Sequence, residues 1–286
     1  MENMKEEHKL LRKESLSNHR EWLKTQDKKV YELKIDYSHL NKEEKNKLRM
    51  FFLEAKWLYN YILSQEDLFN FDTKKINIQV RNKDKIFEDR KLLFLPAKNR
   101  QDIHNRIMRQ IIDLNRNKKL GNKVGRLKFK SRIECIDLSQ YGTTHKITGR
   151  NRVKINGIKR PLIVRGLKQI TDEHTLGKAC LIQKASGYYI KITCFKNKEK
   201  EVNYEKDLGL DMGIKTTVHT SEDKSYSISF AENQRLKRLQ RKILRNSKKN
   251  SNNRYKLRQK LQKEYETLTN KRKDKANKFI HDCGII

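Results

Sequence analysis

The chain has 286 residues, which is enough for one large domain or two small ones with a buried core. It carries 68 Lys and Arg against 35 Asp and Glu, for a net charge of +33. No run of about 18 apolar residues is present, which excludes a membrane-spanning helix, and the charged N-terminal stretch shows no secretory signal. A charge excess this large predicts a polyanionic partner, and nucleic acid is the most abundant polyanion of the cytosol.

The four cysteines are scattered along the chain and form no CxxC pair. They are Cys135, Cys180, Cys194 and Cys283. This spacing predicts neither a disulfide framework nor a tetrahedral zinc site, and it is typical of a protein in a reducing cytoplasm.

The first third of the chain predicts helices around one strand. Apolar residues recur near helical spacing over residues 1–27, and strict alternation over 29–37 predicts a half-buried strand. Asn41 is a helix-start residue, and the helix after it carries an apolar stripe that ends near Ile62. A polar, irregular segment follows, and a further helix is predicted from Ala97 to about Lys118.

From Gly125 onward the periodicity changes to that of strands. The strand-like runs are GRLKFKS, RVKIN, PLIVRG, CLIQKASGYYIKITCF and LGLDMGIKTTVHT. YYIKITCF follows Ser186-Gly187 and predicts the return strand of a hairpin that begins near Lys178. A first strand separated by about 90 residues from the later ones favours an α+β fold in which a helical domain interrupts a β-barrel.

The last third is predicted to be helical and strongly basic. Residues 231–286 hold 18 basic against 5 acidic residues, and the helices break at NSKKNSNN. Basic residues cover nearly every face of these helices, where like charges four residues apart repel each other. We therefore expect contact with an RNA or RNA–DNA duplex, and the alternative is a solvated helix face. The candidate residues are Arg235, Lys237, Arg238, Arg241, Lys242, Arg245, Lys248 and Lys249.

The run LGLDMGIKTTVHTSEDKSYSISF predicts three short strands, the first of which ends in Asp211. A carboxylate on the first strand of such a meander is typical of the first metal ligand in RNase H-like nucleases, because Mg²⁺ prefers hard oxygen ligands. Alone, an aspartate at this place is more often a strand-end or capping residue.

Five segments together resemble one protein family. GLDMGIK resembles the first RuvC motif of the TnpB family, the transposon-encoded RNA-guided proteins related to type V CRISPR effectors. The basic run after it resembles the bridging helix of that family and the helix that follows. FFLEAKWLYNYILSQ is similar to the first recognition helix, LKFKSR to the R/K-F-K-S element at the return into the barrel, and GYYIKITCF to the strand before RuvC. These matches cover roughly residues 29 to 282 in the family's own order.

The resemblance implies a wedge-type β-barrel with an inserted helical recognition domain, followed by a partial RNase H-like (RuvC) domain with long basic helices. The expected boundaries are 1–27 for an N-terminal helical extension, 28–45 plus 125–206 for the barrel, 46–124 for the recognition domain and 207–286 for the RuvC-like part. The resemblance also implies further nucleic-acid-binding residues, which are Lys128, Lys130, Arg132, Tyr59 and Asn60.

The resemblance further implies three catalytic carboxylates: an Asp in the first motif, a Glu on a later strand and an Asp near the C-terminus. The sequence to Ile286 supplies Asp211 alone and lacks the family's zinc-ribbon insertion, so we interpret the chain as C-terminally truncated. One carboxylate holds Mg²⁺ poorly. Asp211 is therefore expected to be a vestigial catalytic residue, which binds Mg²⁺ only in a completed site; otherwise no cofactor is expected.

The leading expectation is a protein that binds a guide RNA and targets complementary double-stranded DNA without cutting it, as an RNA-guided repressor or a decayed transposon remnant. In such systems base pairing reads the sequence, while the protein contacts backbone and shape. Two alternatives remain: a part or subunit of an active Mg²⁺-dependent RNA-guided endonuclease, and a plain RNA-binding protein. We expect a cytoplasmic protein without a membrane partner, and a homodimer or second chain at the exposed edge of the Asp211 strand.

Overall fold

The computed structural model describes residues 2–82, 84–198, 208–213, 218–226, 233–246 and 251–282. The chain is mixed α+β and divides into two units, residues 1–199 and 200–286. The helices are α1 (Glu2–Lys24), α2 (Lys42–Leu63), α3 (Ala97–Lys119), α4 (Gln234–Arg245) and α5 (Asn252–Asp282). The strands are β1 (Gln26–Ile35), β2 (Asn77–Arg81), β3 (Phe87–Lys91), β4 (Cys135–Leu138), β5 (His145–Gly149), β6 (Arg152–Ile155), β7 (Leu162–Arg165), β8 (Thr175–Lys184), β9 (Gly187–Asn197), β10 (Leu210–Asp211), β11 (Val218–Thr220) and β12 (Ser225–Tyr226).

Seven strands of the first unit form one antiparallel sheet in the order β4-β8-β9-β1-β7-β6-β5. The first strand, β1, lies in its middle and pairs with β9 and β7, which come much later in the chain. The alternation predicted for β1 is confirmed, because Leu33 and Ile35 are buried while Val30 is half exposed.

Helix α2 begins at a complete capping box and packs its apolar stripe into the core. The Asn41 side chain accepts a hydrogen bond from the Glu44 backbone N–H, and the Glu44 carboxylate accepts one from the Asn41 N–H. The buried residues of the stripe are Leu48, Phe51, Phe52, Ala55, Leu58, Tyr59 and Ile62. They belong to one hydrophobic cluster with the inner face of the sheet.

One carboxylate is buried in this core. Glu54 is 1% exposed and accepts hydrogen bonds from the backbone N–H groups of Leu93, Phe94 and Leu95, at 2.9, 2.9 and 2.8 Å. A buried charge persists only when it is hydrogen-bonded. These three bonds hold the chain in place just before α3.

Two predictions for the first unit are wrong. The segment between α2 and α3 is not irregular throughout: it contains the β2–β3 hairpin, since Ile78 and Val80 alternate with polar residues and are buried. GRLKFKS is not a strand, because the backbone of Lys130 bonds to a side chain of α2 instead of a neighbouring strand. Strands β4 and β5 were not predicted.

The second unit has a small antiparallel sheet, in the order β10-β11-β12, and the two C-terminal helices. The predicted break between these helices is confirmed, because α4 ends at Arg245 and α5 begins at Asn252. Among the described helices, none has the length and apolar character needed to cross a membrane.

Candidate nucleic-acid interface

Helix α4 separates its charged and apolar residues onto different faces. Leu239 is buried, and Leu236 and Ile243 are half-buried on the same side. The exposed basic residues recur at spacings of three and four residues and are Arg235, Arg238, Arg241, Lys242 and Arg245. At 3.6 residues per turn they span an arc of about 120° and a length of about 15 Å. The exposed basic residues of α4 therefore form a stripe, with the half-buried Lys237 beside it.

Helix α5 packs against α4 and fixes the orientation of this stripe. The Arg235 guanidinium forms a salt bridge with Glu264 at 2.9 Å, and the Gln240 amide donates to the Tyr265 hydroxyl at 2.8 Å. Asn233 caps α4, since its side chain accepts from the N–H groups of Arg235 and Leu236. The first turn of α4 is thus held at its cap and by its neighbour.

The remaining basic residues of the stripe point to solvent. Arg238, Arg241, Lys242 and Arg245 have no ion-pair partner within the part of the chain that the structure describes. A groove of about 810 Å³ is lined by Gln234, Arg235, Lys237, Arg238 and Arg241. Four positively charged side chains around one groove make its electrostatic potential positive. Lys248 and Lys249, which the sequence also indicated, lie outside the described residues.

Two motifs 70 residues apart in the sequence meet in the first unit. The Asn60 side chain on α2 bonds both backbone groups of Lys130: its amide donates to the carbonyl at 2.9 Å, and its oxygen accepts from the N–H at 2.8 Å. Beside it, the Lys130 ammonium lies 4.4 Å from the centroid of the Tyr59 ring. Tyr59 and Asn60 therefore fix the position of the LKFKSR segment.

This geometry concerns three of the residues predicted to bind nucleic acid. Tyr59 is 1% exposed and so presents no face to a base, although the sequence suggested that it binds nucleic acid. Burial raises the pKa of the Tyr59 hydroxyl, and burial together with nearby Arg106 lowers the pKa of Lys130. Tyr59 and Asn60 are positioning residues, and Lys130 directs its charge at the Tyr59 ring.

The rest of the LKFKSR segment is accessible. Lys128 and Arg132 are exposed, and the Arg132 guanidinium lies 4.0 Å from the Glu134 carboxylate. Phe129 is 65% exposed, although a phenyl ring of this size is ordinarily buried. Phe129 was not among the residues predicted to bind nucleic acid. Its signal was an aromatic residue between two lysines, a pattern suited to stacking on a base between phosphate contacts.

A family model described as a probable transposase, OrfB_IS605, matches residues 189–283. This match supports the resemblance to the TnpB family over about the last third of the chain. The match begins in β9 and extends through the Asp211 strand to the end of α5, so it includes the basic stripe of α4. A comparison with curated proteins finds no significant match.

Within the matched region, Asp211 lies on β10, which pairs only with β11 in the described part of its sheet. The Asp211 side chain is exposed, and so is its neighbour Met212, at 81%. Among the residues that the structure describes, Asp211 belongs to no group of three potential metal ligands. The other described carboxylates of the second unit therefore do not join it in a metal-binding group.

Proposed function

We propose that this TnpB-family chain binds a structured guide RNA and, through it, complementary double-stranded DNA, and that residues 1–286 alone do not cut the target. In the same proposal, the seven-stranded sheet is the wedge-type β-barrel of the family, and α2 and α3 belong to its inserted recognition domain. The guide supplies sequence specificity by base pairing, while the protein contacts phosphates and duplex shape.

The stripe on α4 is the observation that carries the proposal. Successive phosphates of one strand in a duplex lie about 3.4 Å apart along its axis, so a stripe of about 15 Å matches about four nucleotides. Exposed cations at this spacing repel each other, and phosphates would relieve that repulsion. A helix face that contacts only solvent gives no reason for four unpaired basic side chains on one side of the helix.

The LKFKSR segment supports a second contact. Its basic residues alternate in the sequence with Leu127, Phe129 and Ser131, and Asn60 holds the segment to α2. Lys128 and Arg132 suit phosphates on either side of a base that stacks on Phe129. Because the segment is tethered before it binds, its contacts would lose less conformational entropy on association.

The absence of cutting is proposed from the number of ligands. Two Mg²⁺ ions require several carboxylates to offset their repulsion, and Asp211 has no such group around it in the described residues. The second candidate is a Mg²⁺-dependent endonuclease whose missing carboxylates come from further residues or a second chain. This candidate is favoured by the exposed Asp211 on β10, the outer strand of the sheet as far as the structure describes it, since an edge strand accepts another strand.

The experiment that tests the proposal is the salt dependence of RNA affinity. A variant carries alanine at the four unpaired residues Arg238, Arg241, Lys242 and Arg245. In a plot of log affinity against log salt concentration, each lost phosphate contact makes the slope shallower by about 0.7–0.9. The slope of the variant should therefore be shallower than that of wild type by about 3.

The matched control removes the same charge from α1, with alanine at the exposed residues Arg12, Lys13, Arg20 and Lys24. It should keep the wild-type slope. Equal slopes for wild type and the α4 variant would contradict the proposal. So would a large loss of melting temperature in the α4 variant, which would place these side chains in packing.

A further inference from the structure

Strands β4 and β8 bring together three side chains that the sequence keeps apart. Cys135 and Asp137 are two residues apart on β4 and so lie on one face of the sheet. Asp137 is directly opposite Cys180 in the register of β4 and β8. All three are half-buried, and their sulfur and oxygen atoms lie within 4.8 Å of one another.

The spacing of these atoms fits a tetrahedral metal ion. The Cys180 thiol donates to the Asp137 carboxylate across 3.3 Å. Zinc has Zn–S bonds of about 2.3 Å and Zn–O bonds of about 2.0 Å, so two of its ligands lie about 3.5 Å apart for sulfur and oxygen and about 3.8 Å apart for two sulfurs. The Cys180–Asp137 distance is close to the sulfur–oxygen value, and the Cys135 sulfur lies within 4.8 Å of both atoms, so a metal ion that replaces the thiol protons would draw the three side chains closer together.

The charges around the cluster also fit. The Arg106 guanidinium on α3 lies 3.2 Å from the Asp137 carboxylate and donates to the Cys135 carbonyl at 2.9 Å. Two thiolates, one carboxylate, a divalent cation and one guanidinium have a total charge of zero. Arg106 would act as an outer partner that orients the carboxylate, as is common around metal ligands.

We propose that Cys135, Asp137 and Cys180 form a binding site for Zn²⁺, with the fourth position open to water. Binding of one Zn²⁺ releases the two thiol protons to solvent. The site joins β4 to β8 beneath α3, directly after the tethered LKFKSR segment. Nothing in the sequence indicated this site, because Cys135 and Cys180 do not form a CxxC pair and come together only through the pairing of β4 with β8. This inference does not depend on nucleic-acid binding.

Cobalt is the probe for this site, because Co²⁺ bound to thiolates gives charge-transfer absorption in the near ultraviolet. Reduced wild-type protein titrated with Co²⁺ should develop this band with one equivalent, and Zn²⁺ should abolish it. Cys135→Ser and Cys180→Ser should lose the band or require at least about tenfold more metal. Cys194→Ser and Cys283→Ser are the matched controls and should keep it.

A second measurement avoids the question of whether the variants fold. Alkylation of each cysteine in wild-type protein is followed by mass spectrometry with and without Zn²⁺. Zn²⁺ should slow the reaction of Cys135 and Cys180 at least about tenfold and leave Cys194 and Cys283 unchanged. Absence of a thiolate band in the wild type, a band that survives in both site variants, or equal alkylation rates would each overturn the proposal.

Discussion

Replacement of Asn60 by alanine tests how the candidate interface is held in place. The substitution removes both hydrogen bonds between the Asn60 side chain and the Lys130 backbone, at 2.9 and 2.8 Å. A neutral hydrogen bond contributes about 0.5–1.5 kcal/mol net, so the tether should weaken by about 1–3 kcal/mol. At 1.4 kcal/mol per tenfold, the opening of the segment from α2 becomes roughly 5- to 100-fold more frequent.

Hydrogen exchange at the Lys130 amide measures this opening directly, because its N–H is one of the two bonded groups. The protection factor of that amide should fall by the same factor in Asn60→Ala, and RNA affinity should fall with it. Asn46→Ala on the exposed face of the same helix is the matched control and should change neither quantity. Unchanged protection of Lys130 in Asn60→Ala would refute the assignment of Asn60 as a tether.

Three further predictions concern buried and exposed ionisable groups. Glu54→Gln presents amide hydrogens to backbone N–H donors and should cost about 3 kcal/mol in denaturant unfolding, whereas the exposed Glu43→Gln should cost less than about 1 kcal/mol. Burial lowers the pKa of His145 to about 4, so on acidification the unfolded chain binds a proton at this residue at a higher pH than the folded chain does. The free energy of unfolding should therefore fall by about 3 kcal/mol as the pH drops from 6.5 towards 4. His145→Gln should lack this component of the acid sensitivity, and an identical pH profile would refute the assignment. Guide-loaded wild type in Mg²⁺ should leave target DNA intact, and Asp211→Ala should bind it equally well; cleavage that Asp211→Ala abolishes would favour the endonuclease.

The sequence predicts those parts of the fold that depend on neighbouring residues. The Asn41 capping box, the alternation of β1 and the hairpin of β8 and β9 all follow from local spacing, and the structure contains them. The basic run of α4 could likewise be identified before its orientation was known. These elements are predictable because burial repeats with the period of the element itself.

Long-range contacts could not be predicted in the same way. Nothing in the local sequence shows that Lys130, 70 residues after Asn60, bonds to Asn60 and lies over the Tyr59 ring. Strand β4 could not be predicted, because an alternation over only four residues is too short to recognise. Its register with β8, which places Asp137 opposite Cys180, could therefore not be predicted either. The neighbour that covers the apolar side of α4 could not be predicted either, because α5 begins only after the break in the sequence.

Sequencing of the RNA that co-purifies with the 286-residue chain tests the central claim most directly. The protein is isolated at moderate salt in parallel with the four-alanine α4 variant. A guide-binding protein should retain one RNA population of defined length, with a structured 5′ side, and the α4 variant should retain much less of it. A broad mixture of abundant cellular RNA fragments, recovered equally with both proteins, would contradict the account.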